Sequence, residues 1–118
     1  MEKENIYLRI YNDSTGEEIA RIRVKFENYK KAFLWSTIQL EGLVLGKWLP
    51  LIRYDFAPGE KPSVHINKEY TSIAYKEEFN CNPQLLIKQA LKKLTSLTES
   101  QILDFIEKRR QVFLREGK

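Results

Sequence analysis

Three polar side chains that could perform acid–base chemistry lie around one loop in the middle of the chain. Arg53 and Asp55 are two residues apart, and His65, the only histidine, follows the Pro/Gly-rich stretch 57–62. Residues two apart on a strand share a face, and an antiparallel return after the loop brings His65 to the next strand. The spacing therefore predicts that the three side chains meet in one cluster.

Each member of this cluster has a chemical role open to it. A histidine can serve as general acid or base near neutral pH, so His65 is the candidate for proton transfer. Arg53 can stabilise an oxyanion or a phosphate, and Asp55 can orient the imidazole. The alternative interpretation is a cross-strand Arg–Asp pair beside a structural histidine, because charge pairs are ordinary on sheet faces.

A second candidate site lies on the first predicted β-hairpin. Apolar residues alternate with polar ones before and after the turn-rich residues 12–16, which predicts a buried face formed by Ile6, Leu8, Ile10, Ala20, Ile22, Val24 and Phe26. The opposite face would display Tyr7, Arg9, Tyr11, Arg21, Arg23 and Lys25. Rings and guanidinium planes stack on bases while cations meet phosphates, so this face is a candidate surface for RNA or single-stranded DNA. The alternative is an ordinary solvated sheet face.

Further strands are needed to position the central cluster. Alternation predicts a third strand at about 32–43 and a fourth at about 47–56, with Gly42 and Gly46 bounding the connection between them. Pro50 lacks a ladder N–H and is therefore expected at an edge or a bulge. A short strand at 63–67 and another near 71–75 follow the loop.

After these strands the hydrophobic period changes to that of helices. Asn82 is predicted to cap a helix that has Pro83 at its first position, with an apolar stripe of Ile87, Ala90, Leu91 and Leu94. Thr98 and Gln101 have capping-box spacing, and Leu97 can staple onto Ile102. The predicted core residues of the two helices are Leu91, Leu94, Ile102, Phe105 and Ile106.

The order of these elements predicts the fold class. Strands come first and helices afterwards, which indicates an α+β fold: an N-terminal antiparallel β-meander packed by two C-terminal α-helices on one face. With 118 residues, of which 42% are hydrophobic, the chain suffices for one core, and we predict a single domain over 1–118.

The composition excludes several classes of site. One cysteine, Cys81, cannot form an internal disulfide, and with His65 as the only histidine a Cys/His zinc site cannot be assembled. No apolar stretch is long enough for a leader or a membrane span. We therefore predict a cytoplasmic protein with no cofactor, no metal and no membrane partner.

The positive charge is concentrated near the end of the sequence. Residues 1–83 hold 12 Lys/Arg and 12 Asp/Glu, so the net charge of +4 arises within residues 84–118. A basic helical end can attract an acidic partner, including nucleic acid, through long-range electrostatics. The alternative is a solvated helix face rich in Lys and Arg.

The segment from Trp48 to Asn67 supplies a family resemblance. Its Arg53-Tyr-Asp55 motif, Gly-containing loop and His65, followed by a helix pair that starts with Asn and Pro, resemble the small TumE-like toxins of prokaryotic toxin–antitoxin systems. The resemblance covers about a fifth of the chain. Those toxins tend to carry several histidines after the loop, whereas this chain has one. The resemblance implies an RNA-directed function, with Arg53, Asp55 and His65 as the positions for a catalytic role.

The function predicted from these features is a small RNA-directed protein of a prokaryote, either a toxin-like ribonuclease or an RNA binder. Whether it is an enzyme stays open at this point. A second hypothesis is a protein-interaction module, such as an inhibitor or adaptor of a mobile element, that docks through its helix pair or an exposed sheet edge. A third is a homodimer of structural role.

Overall fold

A computed structural model of the protein describes residues 2–29, 32–57, 62–72 and 83–118. Six strands form one sheet, in the order β1 Glu2–Tyr11, β2 Glu18–Tyr29, β3 Ala32–Val44, β4 Lys47–Phe56, β5 Ser63–Ile66 and β6 Glu69–Ser72. Two helices follow, α1 Pro83–Thr95 and α2 Glu99–Glu116. Each strand pairs antiparallel with the next along the chain. The predicted α+β fold, a meander with two C-terminal helices, is confirmed.

Two of the hairpins close through two-residue turns with positive φ angles. Leu45 and Gly46 connect β3 to β4 with φ of 49° and 79°, and Asn67 and Lys68 connect β5 to β6 with φ of 49° and 76°. Positive φ at both central residues gives a turn whose twist matches that of the strands it joins. The predicted connection at Gly46 is confirmed, whereas Gly42 does not bound it but lies within β3.

A bulge in β1 changes which of its side chains face the core. Ile6 pairs with Arg23, while Leu8 pairs with Ile22, so Tyr7 is an extra residue between the two pairs. Cross-strand partners project from the same face, and Ile6 therefore lies on the face of Arg23. The prediction that Ile6 lies on the buried face is wrong, because strict alternation does not hold across a bulge. Leu8, which was also predicted to be buried, is 41% exposed.

A second bulge lies where β3 meets β4. Leu40 pairs with Ile52 and Glu41 pairs with Pro50, which leaves Leu51 as the extra residue. This position for Pro50, which has no N–H for the ladder, confirms the prediction of an edge or bulge. Leu51 is 1% exposed and belongs to the core.

Gly42 allows α2 to approach the sheet closely at this bulge. A Cβ atom at this position would lie 2.8 Å from Cγ1 of Ile106 and 2.9 Å from Cδ1 of Leu51. Distances this short do not occur between non-bonded carbon atoms at their optimal separation of about 3.5–4.0 Å. The absence of a side chain at Gly42 therefore fixes the height of α2 above β3 and β4.

The core lies between the helices and one face of the sheet. Its buried members are Ala20, Ile22, Ile38, Leu40, Leu51, Ile52, Tyr54, Phe56, Val64, Leu86, Ala90, Leu94 and Ile102. Leu94 and Ile102 confirm two predicted core positions, and Leu91, Phe105 and Ile106 are partly buried against the same cluster. Leu86 was not predicted, and its burial shows that the inner face of α1 is centred one residue earlier than the predicted stripe.

The start of α2 agrees with the sequence in detail. Thr98 accepts a hydrogen bond at its side chain from the Gln101 N–H, and the Gln101 side chain accepts one from the Thr98 N–H. This reciprocal capping box satisfies two N–H groups that the helix itself leaves unpaired. Leu97 is partly buried against the core, as expected of a residue that staples the helix start.

Some predicted features fall partly or wholly outside the described residues. The cap at Asn82 lies outside them, and so does the end of the strand predicted near 71–75; the observed β6 begins at Glu69. Within the described residues, neither helix is long and apolar enough to cross a membrane.

Candidate functional site

The two candidate sites predicted from sequence lie on the same surface, which we call the outer face: the side of the sheet opposite the helices. Pairing across the strands aligns Arg23 with Gln39, Gln39 with Arg53, and Arg53 with His65. Partners in an antiparallel sheet project from one face, and neighbouring strands are about 4.8 Å apart. One row of polar side chains therefore runs across four strands, from the first hairpin to the histidine.

Asp55 joins the predicted cluster on this face. One of its carboxylate oxygens, Oδ2, lies 3.1 Å from Nε of Arg53 and 3.3 Å from Nε2 of His65. The other oxygen accepts a hydrogen bond of 2.9 Å from the Thr37 hydroxyl. The structure thus brings Arg53, Asp55 and His65 together; the catalytic role assigned to them stays a prediction.

The chemistry open to this cluster follows from its contacts and its exposure. The side chains of Arg53, Asp55 and His65 are 40%, 33% and 26% exposed, so a ligand on the outer face can reach them. A carboxylate beside a histidine fixes the ring orientation and stabilises the imidazolium that forms when the ring takes up a proton. An adjacent guanidinium can stabilise negative charge that develops on a phosphate.

A buried carboxylate contacts the side chains of both arginines of β2. Glu41, whose side chain is 5% exposed, accepts a hydrogen bond of 2.6 Å from Nε of Arg21 and one of 2.5 Å from the Gln39 amide. Nε of Arg23 lies 3.6 Å from the same carboxylate. The Arg21 guanidinium also lies 4.2 Å from the ring centroid of Trp48, a cation–π distance. We call these five residues the Glu41 cluster.

Contacts within the Glu41 cluster reduce the number of side chains on the first hairpin that can contact a nucleic acid. The side chain of Arg21 is 14% exposed and already engaged, so its primary role is in the fold. Tyr7 and Tyr11 are 55% and 51% exposed and can present their rings to a ligand. Arg9 is 48% exposed in its side chain and pairs with Glu18 at 2.8 Å, a contact that raises the pKa of Arg9 through the hydrogen bond and the negative charge.

A cavity opens at the edge of β4, beyond the point where its pairing with β5 ends. It has a volume of about 220 Å³ and is lined by Pro50, Leu51, Arg53, His65, Lys68 and Arg109. We call it the edge cavity. Three of these six residues are cationic and a fourth, His65, becomes so on protonation, while no carboxylate is among them.

Arg109 is the lining residue whose burial is unusual. It is 3% exposed, and its Nη1 donates to the carbonyl oxygen of Lys118 at 3.1 Å. Its Nε is buried and has no hydrogen-bond partner among the described residues. Burial lowers the pKa of Arg109 from its ordinary value, and the negative charge of Glu116 opposes that shift in part.

Neither Arg109 nor Lys68 was predicted from the sequence to belong to a site. Arg109 belongs to the basic stretch that predicted a solvated helix face, but it also follows Ile102 by seven residues and Ile106 by three. Those intervals place it on the inner stripe of α2, and this is the signal that could have identified it. Lys68 carried no such signal, since its position depends on the turn between β5 and β6.

Among the residues that the structure describes, no three His, Cys, Asp or Glu side chains lie close enough together to hold a metal ion.

Comparison with known proteins identifies the family of this chain. No curated protein and no solved structure matches the chain. A family profile does match it over residues 1–111, that of a domain of unknown function, DUF7718. Since the match spans nearly the whole sequence, the chain belongs to the DUF7718 family.

Proposed function

We propose that this protein binds single-stranded RNA on the outer face of its sheet, with the Arg53, Asp55 and His65 cluster as the part of that face that can react with the bound strand. The observation that carries the proposal is the polar row from Arg23 through Gln39 and Arg53 to His65. It makes a continuous path between the basic hairpin and the histidine, about three strand spacings or roughly 14 Å long.

Cations on the outer face can contact the phosphates of a polyanion. They are Arg9, Arg21, Arg23, Lys25 and Arg53. Carboxylates share this face: Glu18, Glu41 and Asp55 form ion pairs there, and the register pairs Glu4 with Lys25. Exposed Tyr7 and Tyr11 at the hairpin add ring surfaces on which unpaired bases can stack.

The contact between His65 and Asp55 supports ribonuclease activity as the reaction at this site. In that reaction, His65 takes the proton of a ribose 2′-hydroxyl, whose oxygen attacks the adjacent phosphorus. The bond to the 5′-oxygen of the next nucleotide breaks, and the proton reaches that leaving oxygen from the imidazolium or from water. Arg53 stabilises the charge on the phosphoryl oxygens, and the products are a 2′,3′-cyclic phosphate and a 5′-hydroxyl end.

The resemblance of residues 48–67 to the TumE-like toxins supports the same class of function, in the cytoplasm of a prokaryote. It also supports the same three residues, Arg53, Asp55 and His65. A protein-interaction module is the competing function, and the binding experiment below separates the two.

Binding is tested with a fluorescein-labelled RNA by fluorescence anisotropy over a range of salt concentrations. The test variant is Arg9→Gln/Lys25→Gln, which removes two cations of the outer face. Each phosphate contact on a single strand contributes about 0.7 to the slope of log K against log salt, so the slope should fall by about 1.4.

A matched control removes the same charge from the helices. Lys108→Gln/Arg110→Gln takes two cations from exposed ion pairs of α2, those with Asp104 and Glu107. It should leave the slope unchanged if the outer face is the binding surface. If the wild type shows no salt-sensitive binding, or if both double variants lose affinity equally, the proposal is wrong and a protein-interaction module takes its place.

Cleavage is tested on the same RNA with purified protein in the presence of EDTA. His65→Ala should abolish the cyclic phosphate product while changing the free energy of unfolding by less than about 1 kcal/mol, because a partly exposed side chain contributes little packing. Cleavage that persists in His65→Ala would remove the histidine from the mechanism. Unfolding of that variant would show that His65 is structural, and the site would then be a binding surface only.

A further inference from the structure

We propose that the edge cavity is a binding site for a phosphate group, with Arg109 as its anchor and Arg53, Lys68 and His65 as the surrounding donors. This site is distinct in place from the hairpin surface, since Lys68 and Arg109 belong to a turn and to α2. The inference does not require the outer face to bind RNA.

The state of Arg109 is the first reason for a ligand. A buried N–H group without an acceptor costs about 1–3 kcal/mol, and more when the group is charged. Nε of Arg109 is such a group, on a residue that lines the cavity and is 3% exposed. A guanidinium presents its N–H groups in a planar fork that fits two oxygens of a phosphate, so a phosphate in the cavity would give the Arg109 side chain further acceptors.

The charge balance around the cavity is the second reason. Two carboxylates flank it: Asp55, which contacts Arg53 and His65, and Glu116, whose oxygen lies 4.0 Å from Nζ of Lys68. Arg53, Lys68 and Arg109, which line the cavity, each carry a permanent positive charge. Three permanent cations and a histidine around one cavity suit a phosphate group, which carries a charge of about −1.5 to −2 near neutral pH as a monoester.

Two backbone oxygens near the cavity already accept hydrogen bonds. The Leu51 carbonyl oxygen accepts one of 2.7 Å from the Asn67 N–H. The backbone oxygen of Lys118 accepts from both Arg109 and Lys68, at 3.1 and 3.3 Å, and so links two of the cations that line the cavity.

The volume limits what can enter. The edge cavity has a volume of about 220 Å³, below the roughly 300 Å³ at which pockets for whole drug-sized ligands start. It therefore suits a phosphate together with part of the group that carries it. The phosphate could belong to the 5′ end of an RNA strand or to a small phosphorylated sugar.

Binding is tested first with inorganic phosphate, by isothermal titration calorimetry and by NMR of the arginine Nε–H signals, against chloride at equal ionic strength. Phosphate should bind and should shift the Arg109 Nε–H signal. Arg109→Gln and Lys68→Gln should each weaken binding about ten- to hundredfold, the range for losing one charge-assisted hydrogen bond. Lys108→Gln, the neighbouring lysine on the exposed side of α2, should not.

Two further ligands distinguish the sources of the phosphate. An RNA hexamer with a 5′-phosphate that binds at least tenfold tighter than the 5′-hydroxyl hexamer would identify a strand end. Ribose 5-phosphate binding as tightly as the phosphorylated hexamer would identify a small ester.

The inference is overturned if wild-type protein binds neither phosphate nor these esters. It is equally overturned if Lys68→Gln binds phosphate as tightly as the wild type, a variant that decides the matter should Arg109→Gln fail to fold. Phosphate binding by a protein that does not bind RNA at the hairpin would leave the cavity in place and remove the outer-face proposal. Failure of the two proposals is therefore distinguishable.

Discussion

Two groups of arginines in this protein lie on opposite sides of the same stretch of β4 and differ in how their charge is balanced. In the Glu41 cluster, Arg21 contacts a buried carboxylate at 2.6 Å and the ring of Trp48 at 4.2 Å. In the edge cavity, Arg109 is 3% exposed and donates to the backbone oxygen of Lys118. Arg21 and Arg23 thus share one side-chain carboxylate, whereas among the described residues no Asp or Glu side chain pairs with Arg109.

The difference teaches how to separate structural charge from binding charge. A buried ion pair with its hydrogen bonds made holds its partners in one geometry, and removing one partner leaves the other uncompensated. A buried cation that contacts no side-chain carboxylate loses its hydration and gains little electrostatic attraction in exchange. This arrangement is typical of a site that a ligand completes. A buried arginine therefore indicates a binding site only when no carboxylate of the chain already pairs with it.

Removing the carboxylate of the Glu41 cluster should have the largest effect. Glu41→Ala leaves the buried guanidinium of Arg21 without its partner, and we expect a loss of about 3–5 kcal/mol in the free energy of unfolding. Denaturant titration followed by circular dichroism measures it. Glu18→Ala, which removes the carboxylate of the exposed pair with Arg9, serves as control and should cost less than about 1 kcal/mol. Equal losses in the two variants would mean that burial of Glu41 does not matter.

Replacing the arginine of the edge cavity should have a much smaller effect. Arg109→Met keeps most of the side-chain volume and removes a buried charge whose Nε has no partner, so stability should stay within about 1 kcal/mol of the wild type. Thermal unfolding in phosphate-free buffer and in phosphate provides the measurement. Phosphate should raise the midpoint for the wild type alone, since a ligand stabilises only the protein that binds it. A loss of about 3 kcal/mol without phosphate would place Arg109 with the structural arginines.

The smallest effect on stability is expected at the exposed cluster. Asp55→Asn removes the ion pair with Arg53, in which both side chains are at least one-third exposed, and such pairs contribute about 0–1 kcal/mol. The free energy of unfolding should therefore change by less than about 1 kcal/mol, whereas RNA cleavage, if His65 performs it, should slow markedly because the imidazolium loses its carboxylate. A stability loss above about 2 kcal/mol would make Asp55 part of the framework.

Local rules predicted the architecture of this chain well. The strand at Lys47–Phe56, the turn at Gly46 and the capping box at Thr98 each depend on a few neighbouring residues, and each was confirmed. The convergence of Arg53 and His65 followed from the same local logic, since an antiparallel return pairs them across the ladder.

Features that depend on distant partners could not be predicted in the same way. The bulge at Tyr7 moves Ile6 to the other face, and a bulge is a property of two paired strands. Arg109 is buried because α2 packs over the end of β4 and because its own carboxyl-terminal turn supplies the Lys118 carbonyl. The intervals from Ile102 and Ile106 distinguish Arg109 from its exposed neighbour Lys108, but only tertiary packing brings it to the cavity beside Arg53 and Lys68.

The missing side chain at Gly42 has a consequence for the edge cavity, although Gly42 does not line it. The two side chains that a methyl group there would displace are Leu51, one wall of the cavity, and Ile106, one turn before Arg109 on α2. One helical turn is about 5.4 Å, so a shift of α2 at Ile106 is carried to the guanidinium almost undiminished. The close approach of α2 at Gly42 thus sets the width of the cavity. A single methyl group added there would weaken phosphate binding without touching any of the donor side chains.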